Sequence, residues 1–164
     1  MKAAILVESK QPLIIDDVDM PDEIDFGQVL VDVHYSGICG AQINEIDAAK
    51  GSDKFLPHLL GHEGSGVVRE VGPGVTTVKV DDHVVLHWRP GVGIDAGPSE
   101  YHLGGRTINA GPITTFQQFT VVSENRLTAI PKNVDFETAT LLADTLTTGF
   151  GAVARDARLE IGES

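Results

Sequence analysis

A single cysteine, Cys39, is all the thiol chemistry the 164-residue chain holds. One thiol forbids an internal disulfide, fits a reducing compartment and excludes an all-cysteine metal site within one chain. Basic residues are scarce as well: 12 Lys and Arg stand against 24 Asp and Glu, and the net charge of -12 would repel a phosphate backbone. Nucleic acid is therefore not an expected partner. No apolar run approaches the roughly 20 residues of a membrane helix. Met1–Glu8 is also too short and too poor in basic residues for a secretory leader, so a soluble cytoplasmic protein with no membrane partner is expected. What is present, 41% hydrophobic and 22% charged residues, has the balance of a globular protein, and the length suits one domain.

Short apolar runs dominate the chain. Met1–Glu8 and Gln11–Val18 around Ser9-Lys10 predict an opening hairpin, and the acidic stretch from Asp16 to Asp25 predicts a solvated connection. Val29, Val31 and Val33 alternate with polar residues over Gln28–Tyr35, the period of a half-buried strand. Ile43, Ile46 and Ala49 predict a short helix over Ala41–Lys50. Gly64–Val71, His83–Trp88, Phe116–Val122 and Arg126–Ile130 are further strands by their β-branched and aromatic content, with a turn at Gly72-Pro73-Gly74. Pro90–Pro112 lacks periodicity and reads as one long irregular loop. From Asp135, a plausible cap, Phe136, Ala139, Ala143, Leu146, Phe150 and Val153 recur at helical spacing and predict the one long helix. The fold class is mainly β with a few helices: a partly open β-barrel from which a C-terminal helix leads away.

Three segments could carry chemistry. Cys39 lies in Gly37-Ile38-Cys39-Gly40, just ahead of a helix N-terminus whose partial positive charge favours a thiolate ligand. His62 stands in Gly61-His62-Glu63-Gly64 at the entry to a strand. Asp144 lies in Ala143-Asp144-Thr145-Leu146-Thr147-Thr148-Gly149. Each has an ordinary reading: a lone cysteine is commonly a small buried hydrophobe, a lone histidine a hydrogen-bonded residue, an aspartate in a helix a solvated one. Together they form an acceptable zinc donor set, because three protein ligands with a fourth position open is the catalytic arrangement.

The order of these segments closely resembles the zinc-dependent medium-chain dehydrogenase/reductase family. The resemblance is carried by Gly37-Ile38-Cys39-Gly40, by the run from Phe55 to Val68, by Val71-Gly72-Pro73-Gly74-Val75, by Asp82-His83-Val84-Val85 and by Thr147-Thr148-Gly149-Phe150-Gly151-Ala152. It implies a GroES-like catalytic domain over 1–134, with 135–164 as helix and linker toward a Rossmann domain, absent here, that binds NAD or NADP. It implies that Cys39 and His62 are catalytic zinc ligands and that Glu63 is a neighbouring carboxylate able to exchange onto the metal. The third ligand, usually cysteine in the family, falls on Asp144. A thiolate, a carboxylate and a neutral imidazole keep the same formal charge as two thiolates and an imidazole, and the harder donor favours harder ions. Thr148 is implied to touch the nicotinamide side of the cofactor.

Other positions depart from the family pattern. Ala41 and Asn44 stand where many relatives carry the hydroxyl and histidine of a proton relay, so oxidation of simple alcohols by that route is not expected. This tilts the expected substrate toward a polyol, sugar or other functionalised alcohol or aldehyde. Gln42 replaces an aspartate that supports the zinc histidine, and its amide oxygen could accept that ring's proton. The four cysteines of a structural zinc are missing from the Pro90–Pro112 loop. Tyr101, His102 and Arg106 there are expected to be solvated, and Trp88 to pack in the core or the adjoining lobe.

Two stretches fit G-x-G-x-x-A, but Gly91–Ala96 runs into Gly97-Pro98, and Gly149–Ala154 lies in helical periodicity with no strand before it. Neither has the strand–turn–helix setting of a dinucleotide site. Ile161-Gly162-Glu163-Ser164 resembles the turn before the first Rossmann strand. The expected function is a zinc-dependent, NAD(P)-linked oxidoreductase of small alcohols or aldehydes, represented by its catalytic domain and inactive alone, the full-length enzyme being a homo-oligomer. The alternatives are a stand-alone GroES-like binding module without redox activity and a metal-free reductase of the quinone oxidoreductase type.

Overall fold

The computed structural model describes residues 1–160, 162 and 163. The expected turn at 161–164 thus falls partly outside the described residues.

The polypeptide forms two principal antiparallel sheets. The larger has five strands: β3 (Gln28–Ser36), β5 (Glu63–Val71), β6 (His83–His87), β9 (Phe119–Ser123) and β10 (Leu127–Ile130), in the order β10-β6-β5-β3-β9. The smaller holds β1 (Lys2–Leu6), β2 (Ile14–Asp17) and β4 (His58–Leu59), in the order β2-β1-β4. Backbone bonds from Ala4 to Phe116 and from Gln118 to Lys2 join the small sheet to the segment entering β9. Alternation sets the faces: Val29 and Val31 of β3 are fully buried and pack with Val68, Val84, Leu86, Val122 and Leu127. Two register shifts between β3 and β5, at Leu30/Val31 and Val33/Tyr35, bend the pair as bulges do.

Three expectations are corrected. Helix α1 spans Gly40–Ile46, not Ala41–Lys50, because Asp47 caps it and Ala48 turns to φ 51. The supposed irregular loop contains a hairpin, β7 (Tyr101–Leu103) with β8 (Arg106–Ile108). Tyr101 is fully buried and its hydroxyl accepts the Val121 N–H at 2.8 Å, so it is a core residue, while Arg106 is exposed.

The third correction concerns the long helix, which is broken. Asp135 does cap α2 (Phe136–Thr140), accepting the Thr138 N–H at 2.8 Å. The chain then turns through Leu141–Asp144, re-enters helix as α3 (Thr145–Gly151) and widens to a π turn over Ala152–Asp156. Ala139 and Ala143 pack on Val85, whereas Leu146, Phe150 and Val153 remain exposed. Periodicity marked apolar positions correctly but could not show that Asp144, at φ -134, leaves the helix to make side-chain contacts.

Candidate metal centre

Four elements converge on Cys39, His62 and Asp144. Cys39 is the N-cap of α1, where its extended backbone, φ -90 and ψ 151, turns it off the end of β3. His62 immediately precedes β5. The turn before it requires glycine: Gly61 has φ +94, and a Cβ there would lie 2.3 Å from Thr115 Oγ1 and 2.9 Å from the Phe116 nitrogen. Asp144 leads into α3. One donor atom from each of the three residues lies within 4.8 Å of the others.

Hydrogen bonds orient this set. His62 Nε2 lies 3.0 Å from Asp144 Oδ2. The other carboxylate oxygen, Oδ1, accepts from Trp88 Nε1 at 3.0 Å and from Thr148 Oγ1 at 2.6 Å. Burial opposes the charge on Asp144, but the bonds from Thr148, Trp88 and His62 outweigh it and hold the carboxyl below its ordinary range. On the far side of the ring, the Gln42 amide nitrogen faces His62 Nδ1 at 2.5 Å while its oxygen accepts the Cys39 N–H at 3.0 Å. In this arrangement Gln42 donates to Nδ1 and His62 donates from Nε2 to Asp144, the reverse of the proton direction expected for Gln42.

Glu63 does not join the three. Buried at 3% exposure, its carboxylate accepts the Thr145 N–H at 3.1 Å and the Thr145 hydroxyl, fastening the start of α3 to β5. Gly37 makes room for it, since a Cβ there would lie 2.3 Å from Glu63 Oε1. Trp88 is not core packing: it is 44% exposed, and its indole belongs to the Asp144 network. Thr148 likewise bonds to Asp144. Sequence reasoning missed both roles; the spacing of Asp144 and Thr148, one helical turn apart, was the available signal for the second.

A cleft of about 470 Å³ opens beside the centre, lined among others by Gln42, His62, Phe55, Leu60, His58 and Ile113. Its mixture of apolar walls and a few polar groups is that of a small-molecule site. Neither G-x-G-x-x-A stretch has dinucleotide geometry: Gly91–Ala96 is irregular loop with a bend at 92–93, and Gly149–Ala154 is already inside α3 and the π turn. No helix among the described residues is long and apolar enough to cross a membrane.

The alcohol dehydrogenase GroES-like domain family matches residues 25–132. The chain is 30% identical over 192 aligned residues to alcohol dehydrogenase class-3 of Dictyostelium discoideum, covering 99% of this chain and 49% of that protein. It is 32% identical over 190 residues to the S-(hydroxymethyl)glutathione dehydrogenase of Synechocystis sp., covering 99% and 50%. Among solved structures, an alcohol dehydrogenase zinc-binding domain protein from Burkholderia ambifaria superposes with TM-score 0.85 at 25% identity, over 99% of this chain and 50% of that one. The chain thus spans about half the length of the curated relatives it matches.

Proposed function

Since the chain belongs to the zinc-dependent medium-chain dehydrogenase/reductase family and has its GroES-like fold, we propose that it is the catalytic part of an oxidoreductase acting on small alcohols or aldehydes with NAD or NADP. The observation that carries this reading is the meeting of Cys39, His62 and Asp144 beside an open cleft. Their donor set fits zinc: sulfur, nitrogen and oxygen, with two negative charges to balance a divalent ion. When bound, zinc supplies Lewis-acid polarisation of the substrate oxygen.

The chain's own residues do the remaining work. Trp88 and Thr148 hold Asp144 Oδ1, which leaves Oδ2 directed at the centre. Coordination through His62 Nε2 puts the ring proton on Nδ1, where the amide oxygen of Gln42 can accept it once the amide turns over. Glu63 holds the start of α3, and with it Asp144, against β5. Phe55, Leu60 and Ile113 wall the cleft with apolar surface that excludes water from part of the substrate. With Ala41 and Asn44 unable to relay a proton in the usual family manner, a polyol, sugar or other functionalised substrate suits the site better than a simple alcohol. Neither G-x-G-x-x-A stretch supplies a dinucleotide site, and in this reading Thr148, bonded to Asp144, is the residue assigned to the nicotinamide side of the cofactor.

Metal analysis of protein purified without added zinc or chelator tests the reading. The Cys39, His62 and Asp144 centre is expected to hold one equivalent of zinc, so Cys39→Ser should bind one equivalent fewer than the parent. No bound metal, together with no gain on Asp144→Cys, would sink it. Calorimetry against NAD and NADP should show weak binding and no turnover by these 164 residues; tight binding would overturn the placement of the cofactor site.

A further inference from the structure

Outside the first centre, Glu45, Asp53 and His58 also bring one donor atom each within 4.8 Å of one another. They come from three consecutive pieces of chain: Glu45 from the last turn of α1, Asp53 from the loop that follows, and His58 from β4. The histidine is the informative member. It is 7% exposed, and its Nδ1 lies 2.9 Å from the Leu59 carbonyl, a group that can only accept, so Nδ1 carries a proton. Its Nε2 points at Asp53 Oδ2 at 2.8 Å and at Glu45 Oε1 at 3.8 Å. In a neutral imidazole that nitrogen presents a lone pair to two carboxylates, neither of which can donate to it. The geometry calls for positive charge where the three atoms meet.

No Lys or Arg among the described residues forms an ion pair with either carboxylate. Asp53 is itself preset, its other oxygen accepting the Phe55 N–H at 2.7 Å. An imidazole whose far nitrogen donates to a backbone carbonyl is in the setting that fixes metal-bound histidines elsewhere. At ordinary zinc bond lengths, ligand atoms in a tetrahedron stand about 3.4 Å apart, which these groups reach by small side-chain movements.

We infer that Glu45, Asp53 and His58 form a second divalent-cation site, separate from Cys39, His62 and Asp144, that clamps the 47–57 loop between α1 and β4. Two carboxylates and a neutral imidazole suit zinc, cobalt or manganese better than thiolate-seeking ions, and water completes the shell through the open side at Glu45. Glu45 and His58 also line the cleft beside His62, so the clamp sets one wall of that cleft.

The test uses the Cys39→Ser/Asp144→Asn protein, which lacks two donors of the first centre, dialysed against zinc alone. It should retain one equivalent of zinc and melt at a higher temperature with zinc than without. Adding Glu45→Gln, an exposed change with little risk to folding, or Asp53→Asn should weaken zinc binding by at least about tenfold and abolish the zinc-dependent rise. In unsubstituted protein, a second equivalent of cobalt should bind without adding to the thiolate charge-transfer absorption. No metal retained by the double variant, or equal retention after Glu45→Gln, would overturn the inference and leave His58 as an imidazolium between two carboxylates.

Discussion

Asp144 places three hydrogen bonds on two oxygens, and that count separates its role from that of a solvated helix aspartate. Removing the carboxylate in Asp144→Ala takes an anionic donor from the proposed centre and strands the Trp88 indole and the Thr148 hydroxyl. Zinc affinity, measured by competition with a chelator, should fall by at least about a hundredfold, taking a lost ligand to cost no less than the upper range for a lost supporting residue. Gln42 gives the opposite sign. A carboxylate there could accept the Cys39 N–H with one oxygen and a metal-bound His62 Nδ1–H with the other, with no amide to turn over. Gln42→Glu should therefore tighten zinc binding by about tenfold, the size of such supporting contacts. A weaker variant in the same competition assay would show that Gln42 does not support the ring.

At the scale of elements, Glu63 decides where α3 begins. Its carboxylate holds the Thr145 N–H and hydroxyl, so Glu63→Gln should cost about 2 kcal/mol in urea unfolding, as hydrogen bonds to charged groups do. It should also loosen Asp144 and so lower zinc affinity; full stability with lowered affinity would instead favour a direct metal role for Glu63. This clamp also explains what the sequence could and could not disclose. Alternation made β3 legible, and β-branched and aromatic content made β5, β6, β9 and β10 legible, each to within a few residues, because both signals are local. The broken helix was not legible, since the break at Leu141–Asp144 is imposed by His62, Glu63 and Trp88, which are distant in sequence. Cys39, His62 and Asp144 were legible as a set only through a family pattern, and Trp88 was assigned to packing because a tryptophan's indole N–H partner has no sequence signature.

Across the whole molecule, two long connections are anchored through one buried carboxylate. Glu124 is 1% exposed; its Oε1 accepts the N–H groups of Thr76 and Thr77 at 2.8 Å each, and its Oε2 accepts that of Ile94 at 2.9 Å. Gly93, at φ +114, passes so close that a Cβ there would lie 2.3 Å from Glu124 Cγ. The loop after β5 and the loop after β6 are thus tied to the barrel at a single point. Burial opposes the charge, but the backbone donors of Thr76, Ile94 and Thr77 more than offset it and bring the carboxyl down from 4.5 to about 2. A folded-state value below the unfolded one means that this stability is fully present above about pH 4.5 and is lost as pH falls toward 2. Glu124→Gln keeps one acceptor and loses the charge, so it should be less stable than the parent by about 2 kcal/mol in urea unfolding at neutral pH. The gap between the two should close as the medium is acidified, because protonation does to the parent what the substitution has already done. A gap of unchanged size at acid pH would mean that shape, not charge, is what Glu124 supplies to the two loops.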